Sequence, residues 1–204
     1  MLKAKIVSLG SYVPKNTVTN RDLEKKVDTS DEWIIERTGI RERRIAPKSQ
    51  ATSDLAYEAS IIAIKKAGIK AKDLDMIIVA SVSGDMPFPS TACLLQHRLD
   101  ATNAVAFDIA AACSGFIYGL SIAESFIKSE ARKRILLVGV ETLSRFTDWE
   151  DRGTCVLFGD GAGAAIIEPS TDDSGIMSTH IYSDGSLWDF IQVPAGGSRL
   201  PCSK

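Results

Sequence analysis

Short apolar runs alternate with longer amphipathic stretches through most of the chain. Such runs are typical of buried strands, and apolar residues that recur every three or four positions are typical of helices. This alternation predicts an α/β fold with a largely parallel sheet. The predicted strands are Ile6–Leu9, Asp75–Ala80, Ala104–Ile109, Arg134–Val140 and Ala162–Glu168, and the predicted helices are Asn20–Lys26, Ser30–Thr38, Ser53–Ala67, Ser90–Leu99 and Cys113–Lys128.

Two of the predicted helices carry clear end signals. Thr29 and Glu32 have the spacing of a capping box at the start of the second helix. Gly68 follows the third helix and is a typical helix terminator. The apolar spacing of that third helix predicts a buried stripe made of Leu55, Ala59, Ile62 and Ala63.

A polar stretch near the end of the chain marks the best candidate for a domain boundary. Pro169 ends the last long strand, and Ser170–Ser174 is polar throughout. We expect residues 1–170 to form one unit and residues 171–204 to begin a second. The stretch 175–204 has the pattern of about two strands, too little to form a core by itself.

The overall charge and hydropathy exclude some classes of function. The formal net charge is −2 over 204 residues, whereas nucleic-acid-binding domains are usually strongly basic. No apolar stretch is long enough to cross a bilayer, and Met1–Val7 lacks the apolar core of a signal peptide. We therefore expect a cytoplasmic protein that binds neither nucleic acid nor membrane.

The four cysteines are widely spaced and include no C-x-x-C pair. They are Cys93, Cys113, Cys155 and Cys202. In a reducing cytosol this pattern predicts free thiols and no metal site.

Cys113 lies where a predicted strand passes into a predicted helix. Three alanines precede it and Gly115 follows it, so that a substrate has room to approach the sulfur. The unpaired N–H groups in a helix's first turn attract negative charge, which a nucleophilic sulfur carries. From geometry alone, Cys113 is either a nucleophile or a small apolar plug between strand and helix.

The segment around Cys113, Ala110-Ala111-Ala112-Cys113-Ser114-Gly115-Phe116, resembles the nucleophile motif of β-ketoacyl-acyl-carrier-protein synthase III. Other segments match that family's signatures in the same order, and several matches together are more specific than one. They are Asp28–Ile34, Arg37–Arg44, Pro87–Ala92, Phe158–Ala164 and Pro194–Arg199. The resemblance implies a thiolase-like fold of layered αβαβα type, with the N-terminal half and the start of the C-terminal half present.

The resemblance also implies a reaction. Cys113 would take an acyl group, in the simplest case from acetyl-CoA, and the acyl-enzyme would condense with malonyl-acyl carrier protein with release of CO2. No separate cofactor is implied, since the CoA thioester is a substrate. The enzyme would be an acyltransferase that initiates fatty-acid synthesis in the cytoplasm.

Four residues match the family's positions for binding CoA. Trp33 would stack on the adenine with Arg152 on its other face, Arg37 would contact the phosphates, and Thr29 would lie close by. Without the resemblance, Trp33 has the pattern of a half-buried packing residue. The cluster of Arg37, Arg41, Arg43 and Arg44 then has that of either a solvated face or a phosphate-binding mouth.

Three further residues match positions that line the acyl pocket. Phe88 would reach into the pocket of a partner subunit, so the resemblance implies a homodimer. Leu143 and Phe158 would limit the length of the acyl primer.

Gly159–Gly163 lacks the spacing of a nucleotide loop, and we interpret it as a tight turn with close backbone packing.

Some parts of the family's pattern are missing from the sequence. Synthase III enzymes use a histidine and an asparagine from the C-terminal half to stabilise the enolate, and neither motif is present. We therefore expect this chain alone to be incomplete for condensation and to need a complementing C-terminal segment. Alternative hypotheses are a related thiolase-fold acyltransferase, an enzyme like hydroxymethylglutaryl-CoA synthase, and a non-catalytic CoA-binding module.

Overall fold

Five strands form the main sheet, and helices pack on both of its faces. The computed structural model describes residues 2–201. The elements are β1 (Ala4–Tyr12), β2 (Asn16–Thr19), α1 (Asn20–Glu24), α2 (Asp31–Thr38), β3 (Glu42–Ile45), α3 (Thr52–Ala67), β4 (Met76–Ala80), α4 (Thr91–Leu99), β5 (Val105–Ile109), α5 (Gly115–Lys128), β6 (Ile135–Thr142), α6 (Arg152–Cys155) and β7 (Asp160–Pro169). Short 3₁₀ turns occur at Ala71–Asp73, Ala112–Ser114, Leu143–Arg145 and Gly185–Leu187.

The main sheet has the strand order β1-β7-β6-β4-β5 and mixed strand directions. β4 pairs in parallel with both β5 and β6, whereas β7 is antiparallel to β6 and to β1. The prediction of a largely parallel sheet is therefore correct only for the three strands nearest Cys113. The chain passes from β6 to β7 without a long crossover helix, so β7 returns in the opposite direction.

Two apolar cores lie on opposite faces of the sheet. On one face α3 and α4 pack against the strands through Leu55, Leu95 and Val138. On the other face α5 packs through Ile127 against Leu137 and its neighbours. Every residue of β4 is buried because both of its faces are covered, which explains its continuous apolar run.

Glycines let two helices approach the sheet closely. A Cβ atom built at Gly10 of β1 would lie 2.1 Å from the carbonyl oxygen of Ala59 in α3. A Cβ atom at Gly119 of α5 would lie 2.3 Å from Cδ1 of the fully buried Leu137. Both helices can therefore lie this close to the strands only because glycine has no side chain at these two positions.

The buried stripe of α3 differs from the predicted one at a single position. Leu55, Ala59 and Ala63 are fully buried, but Ile62 is 36% exposed. Small residues such as Ala59 and Ala63 fill the contact because α3 approaches the backbone of β1 at Gly10. Ser60 is also fully buried.

The predicted cap of α2 is wrong by one residue. Ser30 is the N-cap, and its hydroxyl accepts a hydrogen bond from the backbone N–H of Trp33 at 3.1 Å. The hydroxyl of Thr29 is buried and has no hydrogen-bond partner. The two-stranded ribbon formed by β2 and β3 was not predicted, since three of the four residues of β3 are charged.

The prediction of two strands after residue 175 is wrong for the described part of that stretch. Ile176 donates its N–H to Ala4 at 2.7 Å, but the residues from 181 to 201 are exposed and include no strand. Strand formation needs a neighbouring edge with which to pair. The division at residue 170 stays a prediction, and Cys202 lies outside the described residues.

Candidate active site

Cys113 lies on an exposed turn beyond the end of β5. The turn Ala112–Ser114 is a 3₁₀ helix, and α5 begins at Gly115 directly after it. The predicted helix began at Cys113, whereas α5 begins two residues later, at Gly115. The sulfur is not enclosed by hydrocarbon, because Cys113 is an exposed free cysteine.

The residue before Cys113 has an unusual backbone conformation. Ala112 has a φ of +44°, in the left-handed region that residues with a side chain seldom adopt. Such conformations cost about 1 kcal/mol or more and occur often at functional sites. The small side chain of Ala112 reduces the steric conflict in this turn, which sets the direction of Cys113.

The carboxyl ends of β4, β5 and β6 meet beneath this turn. Gly115 packs against Ala80 at the end of β4, since a Cβ atom at Gly115 would lie 3.1 Å from Cβ of Ala80. Ser81 donates its N–H to the carbonyl of Ile109 at 3.1 Å. The parallel strands therefore present their ends, and Cys113, at one edge of the sheet, which is where α/β folds usually place ligands.

Glu141 is a site residue that the sequence did not indicate. Its carboxylate accepts hydrogen bonds from the hydroxyls of Ser81 and Ser83 and from the N–H of Val82 at 3.0 Å. Thr142 donates its N–H to the Ser83 hydroxyl at 2.8 Å. These bonds hold the segment after β4 against the end of β6.

Asp108 of β5 has a similar role that the sequence did not indicate. Its carboxylate accepts the N–H groups of Thr91 and Ala92, each at 2.7 Å. A carboxylate at this position complements the positive end of the α4 dipole. An acidic residue inside an otherwise apolar strand was the available signal.

Trp33, Arg37 and Arg152 come together, as the family resemblance implied. The guanidinium carbon of Arg152 lies 4.4 Å from the centre of the Trp33 ring, and that of Arg37 lies 5.5 Å away. Arg152 also donates to the carbonyl of Asp28 at 2.9 Å. Trp33 is half-buried against a small core that includes Ile34 and Cys155. Thr29 is adjacent in sequence to Asp28.

Arg43 cannot belong to a phosphate-binding mouth, because it is buried. Its guanidinium donates to the carbonyl of Val18 at 3.2 Å, to the side chain of Asn20 at 2.9 Å and to the carbonyl of Val156 at 3.1 Å. Burial lowers the pKa of Arg43 below its ordinary value. Of the other arginines in the cluster, Arg44 pairs with Glu42 at 2.7 Å.

The three predicted acyl-pocket residues lie in two places. Phe88 is 82% exposed on the loop between β4 and α4. Leu143 and Phe158 are half-buried and lie on the segments that flank Asp160 in the fold. The buried Asp160 carboxylate accepts the N–H of Ser144 at 2.9 Å and its hydroxyl at 2.6 Å, so it ties these two segments together.

The glycine-rich segment Gly159–Gly163 is mostly strand rather than turn. β7 begins at Asp160, and Gly163 pairs with Ser11 of β1. The predicted close backbone packing is present at Gly159, where a Cβ atom would lie 3.2 Å from the carbonyl oxygen of Arg44. His97 is exposed on α4. Within residues 2–201, no helix combines the length and the apolar character that a membrane span requires.

Comparisons with known proteins match this chain to one family of enzymes. The family model described as 3-oxoacyl-[acyl-carrier-protein] synthase III matches residues 107–185. The proteins named β-ketoacyl-[acyl-carrier-protein] synthase III of Caldanaerobacter subterraneus and Clostridioides difficile are 56% and 53% identical to this chain. Each match covers 99% of this chain and 61% of the relative.

Solved structures of similar proteins have the same fold. The 3-oxoacyl-[acyl-carrier-protein] synthase III of Aquifex aeolicus has a TM-score of 0.88 and 55% identity, over 90% of this chain and 59% of that one. The priming β-ketosynthase of the R1128 polyketide pathway has a TM-score of 0.81 and 36% identity, over 83% and 51%. By sequence and by fold, the chain therefore belongs to the β-ketoacyl-acyl-carrier-protein synthase III family of thiolase-fold proteins, and it spans about three-fifths of the length of the curated relatives that it matches.

Proposed function

We propose that Cys113 accepts the acyl group in the first step of a β-ketoacyl-acyl-carrier-protein synthase III reaction. The observation that carries the proposal is the exposed sulfur of Cys113. It directly follows Ala112, whose backbone is left-handed, and lies at the carboxyl ends of three parallel strands. The sulfur attacks the carbonyl carbon of an acyl-CoA, in the simplest case acetyl-CoA. A new carbon–sulfur bond forms while CoA leaves as the thiol. The acyl group then condenses with malonyl-acyl carrier protein, which loses CO2.

The Trp33 and Arg152 pair is the proposed binding site for the adenine of CoA. A flat indole and a guanidinium are suited to hold a purine between them. At 4.4 Å the two groups are in direct contact, so Arg152 must swing away before a ring can enter between them. The hydroxyl of Thr29 is buried without a hydrogen-bond partner in the described chain, so a ligand that reaches it would satisfy it, and Arg37 supplies charge for the phosphates.

The exposed Phe88 supports the proposal of a homodimer. A phenylalanine that is 82% exposed at a loop tip is costly in water and gains most when it enters an apolar pocket. In the proposed dimer Phe88 enters the acyl pocket of the partner subunit, beside Leu143 and Phe158 of that subunit.

A complementing C-terminal segment is part of the same proposal. The described chain exposes Ile117 on α5 and large apolar residues beyond residue 176, including Trp188 and Ile191. Exposed apolar groups on this scale usually mark a surface that another segment covers. That segment would supply the histidine and the asparagine that stabilise the enolate, and the complete enzyme would act in the cytoplasm.

A related acyltransferase with another acceptor is the second candidate. The 36% identity to a priming β-ketosynthase of a polyketide pathway favours it over a non-catalytic module. Acyl-Cys113 can be offered malonyl-acyl carrier protein and malonyl-CoA in competition. Consumption of the carrier-protein thioester supports the first candidate, and preference for malonyl-CoA supports the second.

The acylation step can be tested directly on this chain together with its complementing segment. Incubation with radiolabelled acetyl-CoA should place the label on a peptide that contains Cys113. The Cys113→Ser variant should lose the label, while the matched Cys93→Ser variant should keep it. Absence of label from the wild-type assembly, or equal labelling of Cys113→Ser, would refute the proposed function.

A further inference from the structure

A second candidate binding site lies between the β2–β3 ribbon and the segment that follows β6. It is a cavity of about 330 Å³, near the lower end of the range for small-molecule sites. We call it the Lys26–Trp149 cavity. Its lining residues are Val18, Lys26, Ile45, Ala46, Lys48, Ser144, Arg145 and Trp149.

The frame of this cavity is fixed by the buried carboxylate of Asp160. That carboxylate accepts the N–H of Ala46 at 2.6 Å and the N–H and hydroxyl of Ser144 at 2.9 and 2.6 Å. Ala46 and Ser144 both line the cavity, so one buried group sets the distance between its two walls. The three donated bonds also occupy much of the accepting capacity of Asp160.

Three cationic side chains border the cavity. Arg145 is held in place by its hydrogen bonds to the carbonyls of Pro47 at 2.9 Å and Gln50 at 2.7 Å. In residues 2–201, no carboxylate lies within 4 Å of the charged nitrogens of Lys26, Lys48 or Arg145. Their positive charge is therefore uncompensated by a direct ion pair and is available to an anionic ligand.

The cavity also offers an aromatic wall. The indole N–H of Trp149 donates to the carbonyl of Ser144 at 3.3 Å, which orients the ring. The ammonium of Lys26 lies 5.4 Å from the ring centre, within the range of a cation–π contact. Val18 and Ile45 contribute apolar surface beside the ring. A ligand that fits these features has a flat ring and an anionic group.

We propose that the Lys26–Trp149 cavity binds a phosphate monoester that carries a flat ring, as a nucleoside monophosphate does. The ring packs on Trp149, and the phosphate oxygens accept from Lys26, Lys48 and Arg145. A phosphate suits these three cationic side chains better than a carboxylate does, because it offers three oxygens and up to two negative charges. This site shares no residue with the Trp33 and Arg152 pair, and it does not depend on the proposed function.

The proposal is tested by calorimetric titration of the chain with adenosine 5′-monophosphate, adenosine, inorganic phosphate and glycerol 3-phosphate. Adenosine 5′-monophosphate should bind at least 10-fold more tightly than the other three probes. In a Lys26→Gln/Lys48→Gln variant its affinity should fall at least 10-fold. The matched control is Lys65→Gln/Lys70→Gln, which removes two exposed lysines from the end of α3 and the loop after it.

A Trp33→Ala variant separates this site from the proposed CoA site. Binding of adenosine 5′-monophosphate that survives in Trp33→Ala and weakens in Lys26→Gln/Lys48→Gln supports the proposal. Binding that is lost in Trp33→Ala and unchanged in the double variant overturns it, as does the absence of binding to the wild-type chain. Equal affinity for glycerol 3-phosphate also overturns it, because the ring would then contribute nothing.

Discussion

Apolar residues are mostly buried in residues 2–176, which we call the sheet body. They are mostly exposed in residues 177–201, which we call the exposed segment. In the sheet body, β4 and most of β6 are fully buried between two layers of helices. In the exposed segment, Tyr182, Trp188 and Ile191 are between 71% and 84% exposed. Both regions have apolar patterns that predict strands. The difference shows that an apolar pattern becomes a strand only where a partner edge and a covering layer exist.

The exposed segment keeps a few contacts with the sheet body at its beginning. Tyr118 of α5 donates to the carbonyl of Tyr182 at 3.0 Å, and Thr179 donates to the buried Glu124 at 3.3 Å. Beyond residue 183, local bonds such as those from Ser186 to Asp184 dominate. Stability should therefore fall sharply along this part of the chain, and the following predictions test that fall.

The largest expected contrast is in protease sensitivity. Chymotrypsin should cut after Trp188 and Phe190 on the order of 1,000-fold faster than after Phe107 of β5 or Phe126 of α5. Cleavage inside these elements must wait for an opening that costs about 5 kcal/mol or more. Mass spectrometry of a time course identifies the sites. First cleavage inside α3 or α5 would contradict the comparison, and protection of Trp188 by an added C-terminal segment would support the proposed complement.

The next contrast is between a glycine in each region. Gly10→Ala should destabilise the chain by about 3 kcal/mol, since the new methyl group would lie 2.1 Å from the carbonyl oxygen of Ala59. Gly185→Ala has nothing within 4 Å of its Cβ position and should change stability by less than about 0.5 kcal/mol. Urea denaturation followed by circular dichroism measures both. Equal effects in the two variants would be evidence against tight packing of α3 on β1.

A smaller contrast concerns two aspartates that accept backbone N–H groups. Asp108→Ala should cost about 1–2 kcal/mol, because it leaves two N–H groups at the start of α4 unpaired. Asp184→Ala removes the same kind of bond from the exposed Ser186, where water replaces it, and should cost almost nothing. The same denaturation experiment tests this pair. A large effect of Asp184→Ala would mean that the exposed segment is more ordered than its burial indicates.

The sequence was informative where a local pattern, or a set of motifs shared with a known family, was sufficient. The strand–turn–helix around Cys113 and the closeness of Trp33, Arg37 and Arg152 follow from motifs that were recognised in the chain. Periodicity located every strand of the main sheet within a few residues. Each of these predictions needed only residues that are near in sequence or a set of motifs in a known order.

The features that the sequence analysis predicted wrongly or did not find depend on partners that are distant in sequence. Arg43 is buried by Asn20 and Val156, and no arginine pattern reveals such acceptors. Glu141 and Asp160 gain their roles from segments that are up to 114 residues away. The antiparallel direction of β7 likewise depends on the length of its connection to β6. Apolar periodicity has no information on these pairings.

The smallest predicted effect is the pH dependence of stability that the buried thiol of Cys155 contributes. It is measured against the Cys155→Ala variant, which has no ionisable group at this position. Cys155 is fully buried, and burial, with Asp151 as a second cause, raises the pKa of its thiol above the ordinary value. As the pH rises through the ordinary cysteine pKa, the unfolded chain loses this proton while the folded chain retains it, so the wild-type protein loses stability. Between pH 7 and pH 9 the loss should be at most about 0.8 kcal/mol, the value reached if the folded thiol stays fully protonated. Cys155→Ala lacks this contribution, and the difference in free energy of unfolding between the two proteins cancels the titration of all other groups. A difference that stays constant from pH 7 to pH 9 would show that Cys155 ionises equally in the folded and unfolded states, and would remove the electrostatic contrast between the interior and the exposed parts of this chain.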